Sequence, residues 1–340
     1  MTNRIKYIDA MRGLAMTLVV IGHVCLFSFN TDDNIVQRIL CGELELPLFF
    51  FVSGFLIHVP EYGLGAFLKG KAFALCVPAA IFMLAYAWVN GYCAKEVCFD
   101  LYKYGYWFTY TLFGFIILHV GLKVIAKLLR LSYLTESLFL IVASIVILYT
   151  SVLCLRYESQ YSVISLLGLP HFRFFIYFAL GTIIANYKKF NDEPTPRMEV
   201  WTGGIVVICL LLHLYSYKDA GFSYIGSSTL WAAATTTSGV LVLLLGFKKY
   251  SSWSDSKWGG QFLQVIGRRT LDVYFIHYFF LPRNLYMVGK WFQANPNPFV
   301  EFIFAIMIAI PIIAISLLIG QIIRLNPIVA HWLLATKIKK

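Results

Sequence analysis

Long apolar runs alternate with short polar gaps along the whole chain. The runs cover roughly residues 7–29, 37–59, 72–89, 105–121, 133–155, 172–187, 200–215, 227–247, 271–288 and 299–323. Each reaches or approaches the roughly 20 residues that an α-helix needs to cross a hydrocarbon core. The pattern therefore predicts an all-α, polytopic transmembrane bundle of about ten helices. Pro78 is expected to break the third run near its start, and 248–269 is the longest polar connection. The two halves show no internal repeat, which counts against the duplicated architectures common among transporters.

Composition narrows the picture. Of 340 residues 59% are hydrophobic and 13% charged, a balance that no soluble domain of this size shows. The whole chain, 1–340, reads as a single membrane domain with no soluble C-terminal domain. Arg4 and Lys6 precede the first run as they would in a signal peptide. The run is too long for one and lacks a small-residue cleavage pattern, so it is expected to stay as the first helix. Ten spans put both termini on one side. With the termini cytoplasmic, about 20 Lys and Arg fall inside and about 7 outside, which sets the orientation. The net charge of +11 thus marks topology, and with no basic domain to hold it nucleic acid is not an expected partner. The seven cysteines form no metal-ligand spacing, so no metal is expected. Cys93 and Cys98 share an outer loop, where a local disulfide is conceivable.

Three ionisable groups in the first run are more than an anchor requires: Asp9, Arg12 and His23. Arg12 and His23 are separated by about 16 Å of helical rise, roughly half a hydrocarbon core, so the arginine sits at the membrane face and the histidine deep. An ionisable group at that depth is costly unless it faces protein or water, which makes a functional role the default over a packing histidine. Asp9 and Arg12, three apart, share a helix face and suggest an interfacial ion pair. In the second run Ser53 and Gly54 are small neighbours among bulky aromatics and permit close approach of a helix or a substrate. No Gly-x-Ser-x-Gly turn surrounds Ser53. Glu43 and Glu45 sit near the outer end of that run, placed either to orient a histidine or to be solvated. In Val265-Ile-Gly-Arg-Arg-Thr-Leu-Asp-Val-Tyr-Phe-Ile-His277, Gly267 is read as ending the polar connection and Arg268 and Arg269 as lying at the inner face. Asp272 falls in the first turn of the ninth helix, and Tyr274 and His277 share a face.

The Arg12 and His23 spacing, the block Pro47-Leu-Phe-Phe-Phe-Val-Ser-Gly-Phe-Leu56 and the block Ile266 to His277 together resemble the acyltransferase-3 family of integral membrane acyltransferases. That family acylates extracytoplasmic carbohydrates. The resemblance covers essentially the whole chain. It implies a bacterial cytoplasmic-membrane location and acyl-coenzyme A as donor, acetyl-CoA first among the choices. It also implies a carbohydrate or lipid-linked carbohydrate acceptor. Membrane lipids are the remaining expected partner, and a homo-oligomer is compatible with the sequence. Two departures stand out. The arginine-rich stretch that many members have before the third helix is thinned to Lys69 and Lys71. Some members also carry a C-terminal hydrolase-like domain, so transfer is expected to finish within the membrane domain or on a partner.

The expected chemistry is removal of a sugar hydroxyl proton by His23 as general base. Arg12, Lys69, Lys71, Arg268 and Arg269 would grip the donor phosphates from the inner side. Backbone amides near Ser53 and Gly54, or Tyr274, would face the oxyanion. A covalent acyl-histidine ranks below base catalysis. The alternative outside enzymology is a glycan transporter or flippase with His23 as its proton-coupling site; a scaffold for glycan assembly is a third.

Overall fold

The computed structural model of the protein describes residues 4–31, 34–158, 160–187 and 228–336. Among them there is helix and no strand. In chain order the main helices are α1 (Lys6–His23), α2 (Glu45–Leu56), α3 (Leu64–Asn90), α4 (Trp107–Leu128), α5 (Tyr133–Tyr157) and α6 (Phe175–Asn186). They are followed by α7 (Ser228–Lys249), α8 (Trp258–Arg268), α9 (Thr270–Ile276), α10 (Tyr286–Ala294), α11 (Pro298–Ile323) and α12 (Pro327–Leu334). Two π-helical segments, Val24–Phe29 and Arg38–Leu44, follow α1 and precede α2.

Among the described residues five helices are long and apolar enough to cross a membrane: Lys6–Phe29, Leu64–Asn90, Trp107–Leu128, Tyr133–Tyr157 and Pro298–Ile323. The expected seventh run, Lys188, Lys189, Cys209 and the lysines of the tail lie outside the described residues. Elsewhere the helices depart from the runs. Pro78 lies inside an unbroken α3, since apolar surroundings leave a helix no competing solvent for the carbonyl that proline frees. The ninth run is not one helix: α9 passes into a 3-10 turn, His277–Phe280, and Leu281 is extended. Leu281 precedes Pro282, whose ring disfavours helical geometry at the residue before it. Cys93 and Cys98 are free thiols. The helix Ala94–Phe99 sets five residues of rise between them, about 7.5 Å, beyond the ~7 Å reach of a disulfide.

The described residues form two compact units. In the first, α8 is the main partner of α1. This corrects the reading of 248–269 as a polar connection, and of Gly267 as its end. Gly267 lies within α8 with no room for a Cβ against the carbonyl of Asp9, and Gly13 meets the carbonyl of Leu263 in the same way. Position 9 faces 267 and 13 faces 263, so the two helices run antiparallel at backbone contact, an approach that only residues without a side chain allow. Gly267→Ala is expected to destabilise the chain by about 1–3 kcal/mol through overpacking, read as a lower melting temperature of the purified protein.

The second unit is built on aromatic packing among α3, α4, α6 and α9. Phe82 stacks on Phe275 at 5.2 Å, and Phe115 meets Phe175 and Phe178 edge-on at 5.5 and 5.9 Å. Tyr106 donates to the Phe275 carbonyl at 3.1 Å. Asp272, 1% exposed, is held by both terminal nitrogens of Arg324.

Candidate active site

Arg12 and His23 both belong to the first unit, on the regular helix α1. That helix is apolar on nearly every side, with buried Ile8, Met11, Ala15, Met16 and Val20, as a helix packed among others must be. His23 is half-buried and is its last α-helical residue; Phe27, one turn on, has its ring centroid 5.5 Å away. At Val24 the hydrogen-bond register widens to π geometry, an irregularity that recurs at functional sites because it re-aims side chains. The segment Arg38–Leu44, whose Cys41 packs against Gly22, is also π-helical. Gly22 packs there: a Cβ on it would lie 3.0 Å from Cys41 Cβ and 3.3 Å from Glu45 Oε2.

Glu43 and Glu45 are 7% and 8% exposed, so the solvated reading fails for both. Glu45 places its carboxylate against the residue next to His23, which sequence spacing had left open. Ser53 Oγ donates to the Phe49 carbonyl at 2.8 Å. The amides of Ser53 and Gly54 lie inside α2, where the helix itself uses them. Tyr274 in the second unit donates to Gly105 O at 3.0 Å and accepts from Phe108 N at 3.2 Å. Its proton holds a loop in place. His277 is fully buried, and its Nδ1 lies 2.7 Å from Val273 O. A carbonyl only accepts, so that nitrogen carries the proton.

The basic residues divide. Arg12 donates to Thr270 Oγ1 at 2.9 Å, which brings it to the end of α8 where Arg268 is exposed and Arg269 half-buried. Gly267 lets α8 close on α1, which sets Arg12 near the end of α8. Lys69 and Lys71 belong to the second unit, at the start of α3. Lys69 is exposed, and Lys71 holds its ammonium 5.5 Å over the Phe67 ring. The expected Asp9–Arg12 ion pair is replaced by another: Asp9, 5% exposed, binds Arg4 at 2.5 Å. Arg4 precedes the helix and can fold back over its first turn to pair with Asp9, while Arg12 turns its terminal nitrogen to Thr270.

A family model described as an acyltransferase domain, that of acyltransferase-3, matches residues 5–320. The chain belongs to the acyltransferase-3 family. No curated protein and no solved structure matches it. As a member of the acyltransferase-3 family with several membrane-crossing helices, the protein is a multi-pass membrane acyltransferase. The buried carboxylate Glu301 was not anticipated from spacing. It accepts from Thr31 Oγ1 at 2.5 Å and Asn34 Nδ2 at 2.8 Å, closing the segment beyond His23. Only a pairing across some 270 residues of sequence makes its role visible.

Proposed function

We propose that the protein moves an acyl group, acetyl first among the choices, from acyl-coenzyme A to a hydroxyl of a cell-surface or lipid-linked carbohydrate. The observation that supports this reading is the single helix that carries His23 at a π-helical break and Arg12 about 16 Å of rise away, the latter beside Arg268 and Arg269. His23 takes the hydroxyl proton as the sugar oxygen attacks the thioester carbonyl. The C–S bond then breaks, and the imidazolium returns the proton to the departing thiolate. The three arginines supply planar, permanently charged forks for the donor phosphates. Lys69 and Lys71 would act as secondary, surface contacts. The cytoplasmic side of a bacterial inner membrane, where acyl-CoA is made, is the side assigned to Arg12 and to both termini. Mass spectrometry of surface glycans from cells with and without the protein tests this. A mass difference equal to one acyl group per modified residue is expected; identical glycans would overturn it.

A further inference from the structure

Charges gather without pairing at the end of α4. In the second unit a pocket of about 320 Å³ opens where α4 ends, α5 begins and the chain enters α3. Lys123 and Lys127 line it from α4, Glu136 from the first turn of α5 and Glu61 from the segment ahead of α3. Lys123 and Glu136 are half-buried, Lys127 and Glu61 exposed. Lysines four residues apart share one helix face, so the two signs stand on different walls. Among the described residues no ion pair joins either lysine to either glutamate. The turn between α4 and α5 holds those walls in place. Arg130 takes φ of 53° and Leu131 N donates to Ala126 O at 3.0 Å, which closes α4 in a Schellman motif. Ser132 then caps α5 by accepting from Thr135 N.

The charge balance limits what can enter. Two lysines attract an anion and two glutamates a cation that donates hydrogen bonds, so an occupant with only one of these leaves a wall unmatched. The rest of the lining is largely apolar, with Val120, Val124 and Leu131 in it. Depth narrows the choice further. Both α4 and α5 are long and apolar enough to cross a membrane, and the pocket lies at their joined ends, the layer where headgroups meet hydrocarbon. Val124 belongs both to the pocket and to an exposed face of α4 that also holds Ile117, Gly121 and Leu128. Those positions recur every three or four residues, as one side of a helix must. At Gly121 a Cβ would meet nothing within 4 Å, so the face carries an open notch next to the pocket. The volume is at the low end of the ~300–1,000 Å³ of ligand sites, enough for a headgroup. A nucleotide brings an amine and phosphates but no chain to cover this face. A phospholipid with a primary amine brings all three.

We propose that this pocket binds the headgroup of one phosphatidylethanolamine molecule, with its phosphate at Lys123 and Lys127, its ammonium at Glu61 and Glu136, and an acyl chain along the face of α4 that holds Ile117, Gly121 and Val124. The test is native mass spectrometry of the full chain, released from micelles after incubation with phosphatidylethanolamine, phosphatidylglycerol or phosphatidylcholine at equal mole ratio. The ethanolamine lipid should survive as a one-lipid complex at roughly five times the abundance of the other two, the factor that one part-exposed ion pair supplies. The choline ammonium donates no hydrogen bond, and the glycerol headgroup carries no cation. Glu61→Gln with Glu136→Gln should bring the three lipids level, and Lys123→Gln with Lys127→Gln should weaken all three. Gly121→Leu, which fills the notch with a better helix former, should lower retention of the ethanolamine lipid without lowering the melting temperature. Equal retention of the three lipids by the unaltered protein overturns the proposal, as does retention of the ethanolamine lipid that none of the variants changes. ADP has an amine and phosphates without acyl chains. If it displaces the bound lipid, the pocket is a nucleotide site and the proposal is overturned as well.

Discussion

Replacing His23 with alanine is expected to lower acyl transfer by about 10²–10⁴-fold, the range that a positioned general base contributes, while the protein stays folded. His23 is half-buried at the end of α1, and the packing that holds the helix, Gly13 and Gly267 at the α1–α8 contact and Gly22 against Cys41, involves other residues. The loss should fall on kcat, because a base that acts only while the hydroxyl attacks stabilises the transition state and not the bound donor. Arg12→Ala should do the reverse and raise KM for acyl-CoA, since a phosphate contact made before and during the reaction is uniform binding. The pair of variants separates the enzyme from a transporter. If His23→Ala abolishes glycan export, and acylation falls only in proportion, the histidine couples transport and the acyl-transfer account of His23 is lost.

Legibility in the sequence followed the kind of physics involved. Runs five and ten became helices close to their expected positions, and the helices of runs three and four reach beyond them, to Leu64 and Leu128, because apolar length alone decides a lipid-exposed span. Where contact between elements decides, the pattern misled. Glycines at 259, 260 and 267 and the charges around them look like a connection, yet Gly267 is small because Asp9 of α1 lies against it. The ninth run is apolar throughout, but Pro282 and the 3-10 turn before it end the helix early. Within the candidate site, Arg12 and His23 could be found because one helix carries both. Glu45 could be named but not placed, for its relation to Gly22 crosses two π-helical segments that no periodicity predicts.

The same distinction makes Asp272 and Arg324 the most exacting structural test. In sequence Asp272 is a first-turn carboxylate and Arg324 the residue after the last run; in the fold they form a two-pronged pair, and Arg324 also donates to Gly320 O at 3.0 Å. A Cβ on Gly320 would lie 2.5 Å from Asp272 Oδ2, so the approach of α11 to α9 is shaped around this carboxylate. The partners are unequally placed, with Asp272 1% and Arg324 27% exposed by side chain. Arg324→Ala should therefore cost more than Asp272→Ala. It strands a buried carboxylate without its cation, about 3–5 kcal/mol, whereas a stranded guanidinium can turn its long stem toward a more polar layer. Removing both charges as Asp272→Leu with Arg324→Met should recover most of the loss, because a buried pair replaced by apolar groups of similar volume is often neutral. The check is the melting temperature and the monodisperse fraction on size exclusion of all three variants. If Arg324→Ala melts like the unaltered protein, the pair does not hold α9. Tyr274, two residues further along α9, would then owe its hold on Gly105 O to the rings of Tyr106 and Phe108 packed against it.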